Sequence, residues 1–158
     1  MRKKSKYKPK PINHDNLSYI MSGFRKVATL PIAGVSLLTR NHSALEEVLH
    51  GRGTHEHVDV LIAAMNMCET LAHMGIGEDW IPEIMEAQQA IYNLAQRGIS
   101  GKKFIFTGPE MSIVKQMMEL HDRQLEECTV AQMEKALDVM TEFIRLGRAK
   151  KIKALETA

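Results

Sequence analysis

The chain has 158 residues, 44% of them apolar and 25% charged, a composition typical of one soluble globular domain with a substantial core. Only two cysteines are present, which excludes a disulfide-rich scaffold, and the low aromatic content of 5% disfavours a β-sandwich. The formal net charge of +2 excludes a strongly basic or strongly acidic protein, but this charge is unevenly distributed along the chain.

The first 23 residues predict an arm followed by a short helix. Residues 1–13 are basic and contain two prolines, which predicts a flexible or extended arm. Asp15 or Asn16 is a suitable N-cap for a short helix, which Gly23 would end.

The next stretch leaves two alternatives open. Residues 27–39 are compatible with a β-hairpin or with a loop that leads into a helix. A capping-box pattern at residues 43–46 then predicts a helix that starts at Ser43 and stops at Gly51.

Two long helices are predicted in the middle of the chain. The first extends over about residues 55–74 and is closed by Gly75. Its segment 60–65 is apolar on all sides, which predicts burial by several neighbours. The second spans about residues 79–97, with acidic residues and a proline in its first turn, and stops at Gly98.

The last third of the chain predicts one strand and two helices. Residues 103–107 contain three consecutive apolar residues, Phe104, Ile105 and Phe106, between Gly101 and Gly108, which indicates a short strand. A helix follows over residues 109–127, and Thr129 with Gln132 caps a final helix that Gly147 ends. The final helix carries apolar residues at a 3-4-3-4 spacing that favours packing on another helix, namely Val130, Met133, Leu137, Met140 and Ile144.

Together these elements predict a mainly α protein. We expect a helical bundle of two long helical hairpins, residues 55–97 and 110–146, with a short N-terminal subregion and at most one small β element. The expected domains are a basic flexible arm (residues 1–13), a single helical domain (residues 14–147) and a basic C-terminal tail (residues 148–158). No secretory signal or apolar run of membrane-spanning length is visible, so we expect a cytoplasmic protein without membrane contact.

Basic residues are concentrated at the two ends of the chain. Residues 1–11 carry six bases and residues 145–153 carry five, and neither stretch contains an acid. Residues 12–144 hold ten bases against 18 acids, a net charge of −8. This separation predicts a binding protein whose ends contact a negatively charged partner.

The basic ends supply the candidate contact residues. They could bind phosphates of nucleic acid, with a tyrosine placed to stack on a base, or they could dock on the acidic body of another subunit in a homo-oligomer. Alternatively, they only keep the chain in solution. The candidates for nucleic-acid or partner contact are Arg2, Lys3, Lys4, Lys6, Tyr7, Lys8, Lys10, Arg148, Lys150, Lys151 and Lys153.

Lys102 and Lys103 are weaker candidates for contact with an anion. They lie beside Gly101 in a glycine-containing stretch that lacks both the dinucleotide fingerprint and the phosphate-loop motif. Glycine as a helix stop or turn residue is therefore the preferred interpretation of this stretch.

Two groups of residues invite a catalytic or metal-binding hypothesis. His55 and His57 point in divergent directions on a regular helix and lack a third ligand at a zinc spacing, so we expect a structural or solvated role and no metal. Glu119, His121 and Asp122 could form an acid–base cluster, but an exposed charged stripe with His121 turned to the core is the simpler interpretation. We therefore expect no enzyme activity and no cofactor.

Methionines and one asparagine offer a further choice. Met65, Met67, Met74, Met117, Met118, Met133 and Met140 are predicted to fill the core, and the alternative is an adaptable, methionine-rich binding groove. Asn66 interrupts the most apolar helix and needs a partner, either a carbonyl of its own chain or Asn66 of a second copy.

The chain resembles a group of short proteins encoded in bacteriophages and proteobacterial prophages. The resembling stretches are MRKKSKYKPK (residues 1–10), NHSAL (41–45), DVLIAA (59–64) and GPE through LHD (108–122). The resemblance implies an accessory protein expressed in a bacterial host, and proteins of that kind often act by binding. It leads us to expect stoichiometric binding of a host factor or a signalling nucleotide, in host takeover or anti-defence, with nucleic-acid binding through the basic ends as the alternative.

Overall fold

The computed structural model describes residues 33–148, and side chains from residue 37 onward. Five α-helices lie in this range: α1 (Ala33–Leu49), α2 (His55–His73), α3 (Ile81–Ile99), α4 (Gly108–Glu127) and α5 (Val130–Arg145). A single 3-10 turn, Glu78–Trp80, precedes α3. The mainly α helical bundle is thereby confirmed, and no strand occurs within residues 33–148.

Helix α2 lies at the centre of the bundle. It packs against each of the other four helices, which accounts for the apolar character of residues 60–65 on all sides. Its fully buried side chains include Leu61, Met65, Cys68 and Leu71. Helices α3 and α4 pack on α2 and on each other, whereas α5 packs chiefly on α2 and not back along α4.

The predicted capping of the last helix is confirmed. Thr129 Oγ1 accepts a hydrogen bond from Gln132 N at 3.2 Å, and Thr129 N donates to Gln132 Oε1 at 2.9 Å. A second reciprocal pair at the start of α4 joins Thr107 and Glu110. Both pairs satisfy N–H groups that a helix leaves without partners in its first turn.

The predicted helix start at Ser43 is wrong. Ser43 is an exposed residue inside α1, because Asn41, Ala44, Leu45 and Val48 form a buried face that packs on α2. Packing of this face outweighs the local capping signal. Gly51, with a φ of 72°, does follow the end of α1 as predicted.

Residues 33–39 belong to α1, so both the hairpin and the loop are wrong for them, and the helix that the loop was expected to lead into begins at Ala33. Residues 27–32, the predicted arm and the predicted short helix after it lie outside the described part of the chain. The same is true of the tail from residue 149 onward.

The predicted strand over residues 103–107 is also wrong. These residues form a loop between α3 and α4. Phe106 is buried and Phe104 packs against the core, while Ile105 is exposed, so the alternation of a strand is present. The Ile105 carbonyl accepts its hydrogen bond from Nη2 of Arg97 at 2.9 Å and not from a neighbouring strand.

Helix α3 differs from prediction at its C-terminus. The helix continues through Gly98 to Ile99, and the left-handed residue that follows is Gly101, with a φ of 82°. The sequence predicts Gly98 as the residue that ends the helix, but in the structure Gly98 lies within the helix and packs against Phe104.

Candidate functional site

The basic candidate residues are exposed wherever the structure describes them. Arg148, just beyond α5, and Lys102 and Lys103, in the loop between α3 and α4, all lie on the surface. The other candidates for nucleic-acid or partner contact lie outside residues 33–148: Arg2, Lys3, Lys4, Lys6, Tyr7, Lys8, Lys10, Lys150, Lys151 and Lys153.

The two histidines at the start of α2 have structural contacts. His57 Nδ1 accepts a hydrogen bond from the backbone N–H of Thr54 at 3.2 Å, so His57 caps the helix. The ring of His55 meets the ring of Phe104 edge-on, with centroids 4.9 Å apart. Within residues 33–148 no three His, Cys, Asp or Glu side chains are grouped closely enough to hold a metal ion.

The predicted acid–base cluster on α4 is divided between the core and the surface. His121 is buried, as the simpler interpretation expects, and its burial lowers the pKa of the imidazole despite a hydrogen bond to Gln124. Asp122 binds His42 of α1, with 2.7 Å between Oδ2 and Nε2, and Glu119 is exposed. The sequence indicated no role for His42. The contact between His42 and Asp122 joins α1 to α4.

A groove lies between α2, α3 and α5 of the described structure. Its volume is ≈ 860 Å³, within the range of ligand and peptide sites. Apolar side chains dominate its lining, among them Ile62 and Met65 of α2, Met85 and Ile91 of α3, and Val139, Met140, Phe143 and Ile144 of α5.

The walls of this groove expose large apolar side chains to solvent. Phe143 is 50% exposed, Ile144 64%, and Met85 on the facing wall 55%. Because a helix turns by about 100° per residue, the large apolar residues of α5 span about 180° of its circumference. Helix α2 covers the middle of this arc, at Met133, Ala136 and Met140, and residues 33–148 leave both flanks exposed.

The 3-4-3-4 pattern of α5 is therefore only partly satisfied by contacts among residues 33–148. Met133 and Met140 pack on the core, whereas Leu137 and Ile144 remain exposed. The core prediction holds for Met65, Met67, Met117 and Met118, which are buried. Met85 of α3 lies on the groove wall.

A small polar group lies within the groove. Gln88 Nε2 of α3 donates to Glu69 Oε2 at 2.7 Å and to Asn66 Oδ1 at 3.2 Å, both on α2. Asn66 is exposed, and within the described residues its side-chain oxygen accepts from Gln88, a partner that the sequence did not indicate. Nε2 of His73 lies 3.7 Å from Oε1 of Glu69. Arg148, just beyond the end of α5, also lines the groove.

The charge of the groove follows that of the body around it. Residues 33–148 carry 17 acids against ten Lys and Arg residues, a net charge of −7. Among the lining residues Glu69 is the acid and Arg148 the permanent cation. The geometry therefore offers an apolar trough in an acidic surrounding, with amide groups along one side.

Comparison with known proteins gives no match to a protein-family model, a curated protein or a solved structure. The helices between residues 33 and 148 also include none with both the length and the apolar character that crossing a bilayer requires.

Proposed function

We propose that this protein is a phage accessory protein that acts in the host cytoplasm by stoichiometric binding of a host protein, without catalysis. The groove between α2, α3 and α5 would receive an amphipathic helix of that partner. The observation that supports this proposal is the pair of exposed apolar walls, with Met85 on one side and Phe143 and Ile144 on the other. Exposed apolar surface of this kind commonly marks an interaction site.

The lining has the chemistry that helix-in-groove recognition needs. An amphipathic helix inserts apolar anchors at positions i, i+3, i+4 and i+7 into such a trough. Met65, Met85 and Met140 can adjust to anchors of different shape, because the methionine side chain is unbranched and flexible. The acidic body favours a partner helix whose polar face is basic.

A signalling nucleotide fits this groove less well than a helix. Phosphate groups need cations or clustered N–H donors, and the lining offers one arginine, Arg148, at its end. Apolar side chains occupy most of the remaining lining. We therefore commit to a protein partner.

The proposal is tested by comparing Phe143→Asp with Thr141→Asp. Both residues are exposed on α5 and both substitutions add the same charge, but Thr141 lies outside the groove lining. Each protein is incubated with a proteobacterial lysate. Native mass spectrometry then identifies the bound proteins and gives the stoichiometry of each complex. Hydrogen–deuterium exchange then locates the contact on this chain.

The expected result is a 1:1 complex with wild type and with Thr141→Asp, a loss with Phe143→Asp, and protection of α3 and α5 in the complex. Equal capture by the two variants would refute the proposal, as would a complex in which α3 and α5 exchange as fast as in the free protein.

Nucleic-acid binding through the basic ends is the second candidate. The concentration of 11 bases in residues 1–11 and 145–153 favours it. Its signature is an affinity for DNA or RNA that falls steeply with salt and is lost on deletion of residues 1–11. This candidate makes no use of the groove, so Phe143→Asp would leave that affinity unchanged.

A further inference from the structure

We propose that residues 15–26 of this chain occupy the groove when no partner is bound. We call them the N-terminal segment, and they lie outside the described residues. The inference deepens the proposed function. It rests on that proposal in one respect, because both treat the groove as a binding site. A host helix would then bind by displacing a helix of the protein's own chain.

The sequence of the N-terminal segment has the spacing that a groove of this kind accepts. Leu17, Ile20 and Met21 share one face of the short helix predicted from Asp15 or Asn16, which Gly23 would end. Their spacing, i, i+3 and i+4, matches the first three anchors of a groove-bound helix.

The first described turns of α1 share an apolar cluster with a residue that lines the groove. Leu37 and Leu38, near the start of α1, pack in the same apolar cluster as Met133 and Met140 of α5. Met140 also lines the groove. The connection between Phe24 and Ala33 can span about 30 Å when extended, whereas α5 is only about 24 Å long. The chain is therefore long enough to return along α5.

Charge favours the same occupant. The N-terminal segment carries Arg25 and Lys26 against Asp15, a net charge of +1, and the preceding residues 1–14 add six bases and no acid, whereas the described body has a net charge of −7. Attraction between opposite charges on the two surfaces promotes their association. A second copy that docked through its own acidic body would lack this advantage, and the second experiment below tests whether the segment comes from a second copy.

The first experiment compares Ile20→Asp with Ser22→Asp in the full chain. Both substitutions place the same charge on the N-terminal segment, but Ser22 lies on the side opposite Leu17, Ile20 and Met21. The probe is a fluorescent peptide with the sequence of residues 14–26, and its binding is measured by anisotropy.

If the segment fills the groove, the peptide should bind the Ile20→Asp protein about tenfold more tightly than wild type, because the site is no longer occupied. Ser22→Asp should bind the peptide as wild type does. Adding Phe143→Asp to the Ile20→Asp protein should remove the binding. Equal peptide affinity in all these proteins, or binding that Phe143→Asp does not change, overturns the inference.

The second experiment identifies the chain that supplies the segment. Ile20→Cys combined with Phe143→Cys should form a disulfide within one chain under mild oxidation, and Ser22→Cys with Phe143→Cys should do so much less. The native Cys68 and Cys128 are buried and do not compete. A disulfide between two chains would show exchange between subunits and would overturn occupancy by the same chain. A dimer whose groove excludes the peptide equally well with Ile20 and with Asp at position 20 would also overturn it.

The two proposals can fail separately. Suppose that capture of a host protein depends on Phe143 but Ile20→Asp has no effect on peptide binding. The inference about the N-terminal segment then fails, and the proposed function remains. If the peptide binds as expected but no host protein is captured in a Phe143-dependent way, the proposed function fails and the inference about the N-terminal segment remains.

Discussion

The ring of Phe104 occupies the space where a Cβ atom on Gly98 would lie. A Cβ built there would be 1.8 Å from Cε1 of Phe104 and 2.2 Å from two more of its ring atoms. Gly53 also approaches Phe104, less closely, since a Cβ there would lie 3.1 Å from Cβ of Phe104. Phe104 thus anchors the α3–α4 loop between two glycines that contribute no side chains.

Gly98→Ala should therefore destabilise the fold, although alanine favours a helix more than glycine does. We expect a loss of about 3 kcal/mol in the free energy of unfolding, because the ring of Phe104 must move out of its packing site. Urea denaturation monitored by circular dichroism measures the loss. Gly108→Ala is the matched control, since no atom lies within 4 Å of its Cβ position and its φ is not positive.

The Gly98 prediction also has a double-mutant form. In a Phe104→Ala background, Gly98→Ala should cost much less than it does in wild type, because the clash is gone. Equal costs in the two backgrounds would show that the close approach is not the cause.

Gln124→Ala should be among the most destabilising polar substitutions on α4. Its Nε2 donates to the carbonyls of Cys68 at 3.0 Å and Ile76 at 2.7 Å, and its Oε1 accepts from Nδ1 of His121 at 3.1 Å. Truncation leaves buried groups without partners, which costs about 3 kcal/mol. Gln116→Ala, at an exposed position of the same helix, should be nearly neutral in the same urea titration.

A small effect of Gln124→Ala, within about 0.5 kcal/mol of the control, would contradict this account. It would mean that water replaces the amide without cost. Hydrogen–deuterium exchange of residues 74–78 gives an independent measurement, since loss of the bond to the Ile76 carbonyl should speed exchange in that connection.

The ion pair between Arg97 and Glu110 should make stability depend on pH. Partial burial raises the pKa of Glu110, but hydrogen bonds from Arg97 and from the Thr107 N–H outweigh it and hold the pKa below its ordinary value. A lowered pKa in the folded state contributes stability that is complete above the unfolded value, about 4.3, and is lost as pH falls through the folded pKa.

Glu110→Gln tests this dependence. At pH 7 it should lower the free energy of unfolding by about 2 kcal/mol, and the difference from wild type should vanish at a pH below the folded pKa. Glu119→Gln, at an exposed position of α4, is the control and should show little difference at either pH. A Glu110→Gln effect that is constant across this range would exclude the ionised carboxylate as its source.

The thiol of Cys68 should be inert in the folded protein. Burial, with a smaller contribution from the nearby Glu69, raises the pKa of Cys68 to about 12, and burial also raises that of Cys128. A thiol reagent such as dithionitrobenzoate should therefore leave both cysteines unreacted at pH 8 and titrate two thiols per chain in urea. Rapid reaction of either cysteine in the native protein would contradict their burial.

Most helices of this protein follow from the sequence by itself. The bounds of α2, α4 and α5 agree closely with prediction, because apolar periodicity, capping pairs such as Thr129 with Gln132, and glycines such as Gly75 act through neighbours within one or two turns. The free, buried state of the two cysteines follows in the same way from their place in apolar helical patterns.

The tertiary structure decided what those elements do. Ser43 has the sequence of a helix start but lies within α1, and Gly98 has the sequence of a helix stop but makes room for Phe104. The apolar pattern of α5 does not reveal that Ile144 is exposed in the described structure, or that Ile144 and Met85 lie on facing walls of a groove. Periodicity shows which side of a helix is apolar, whereas the number of neighbours that cover it depends on contacts between residues far apart in the chain.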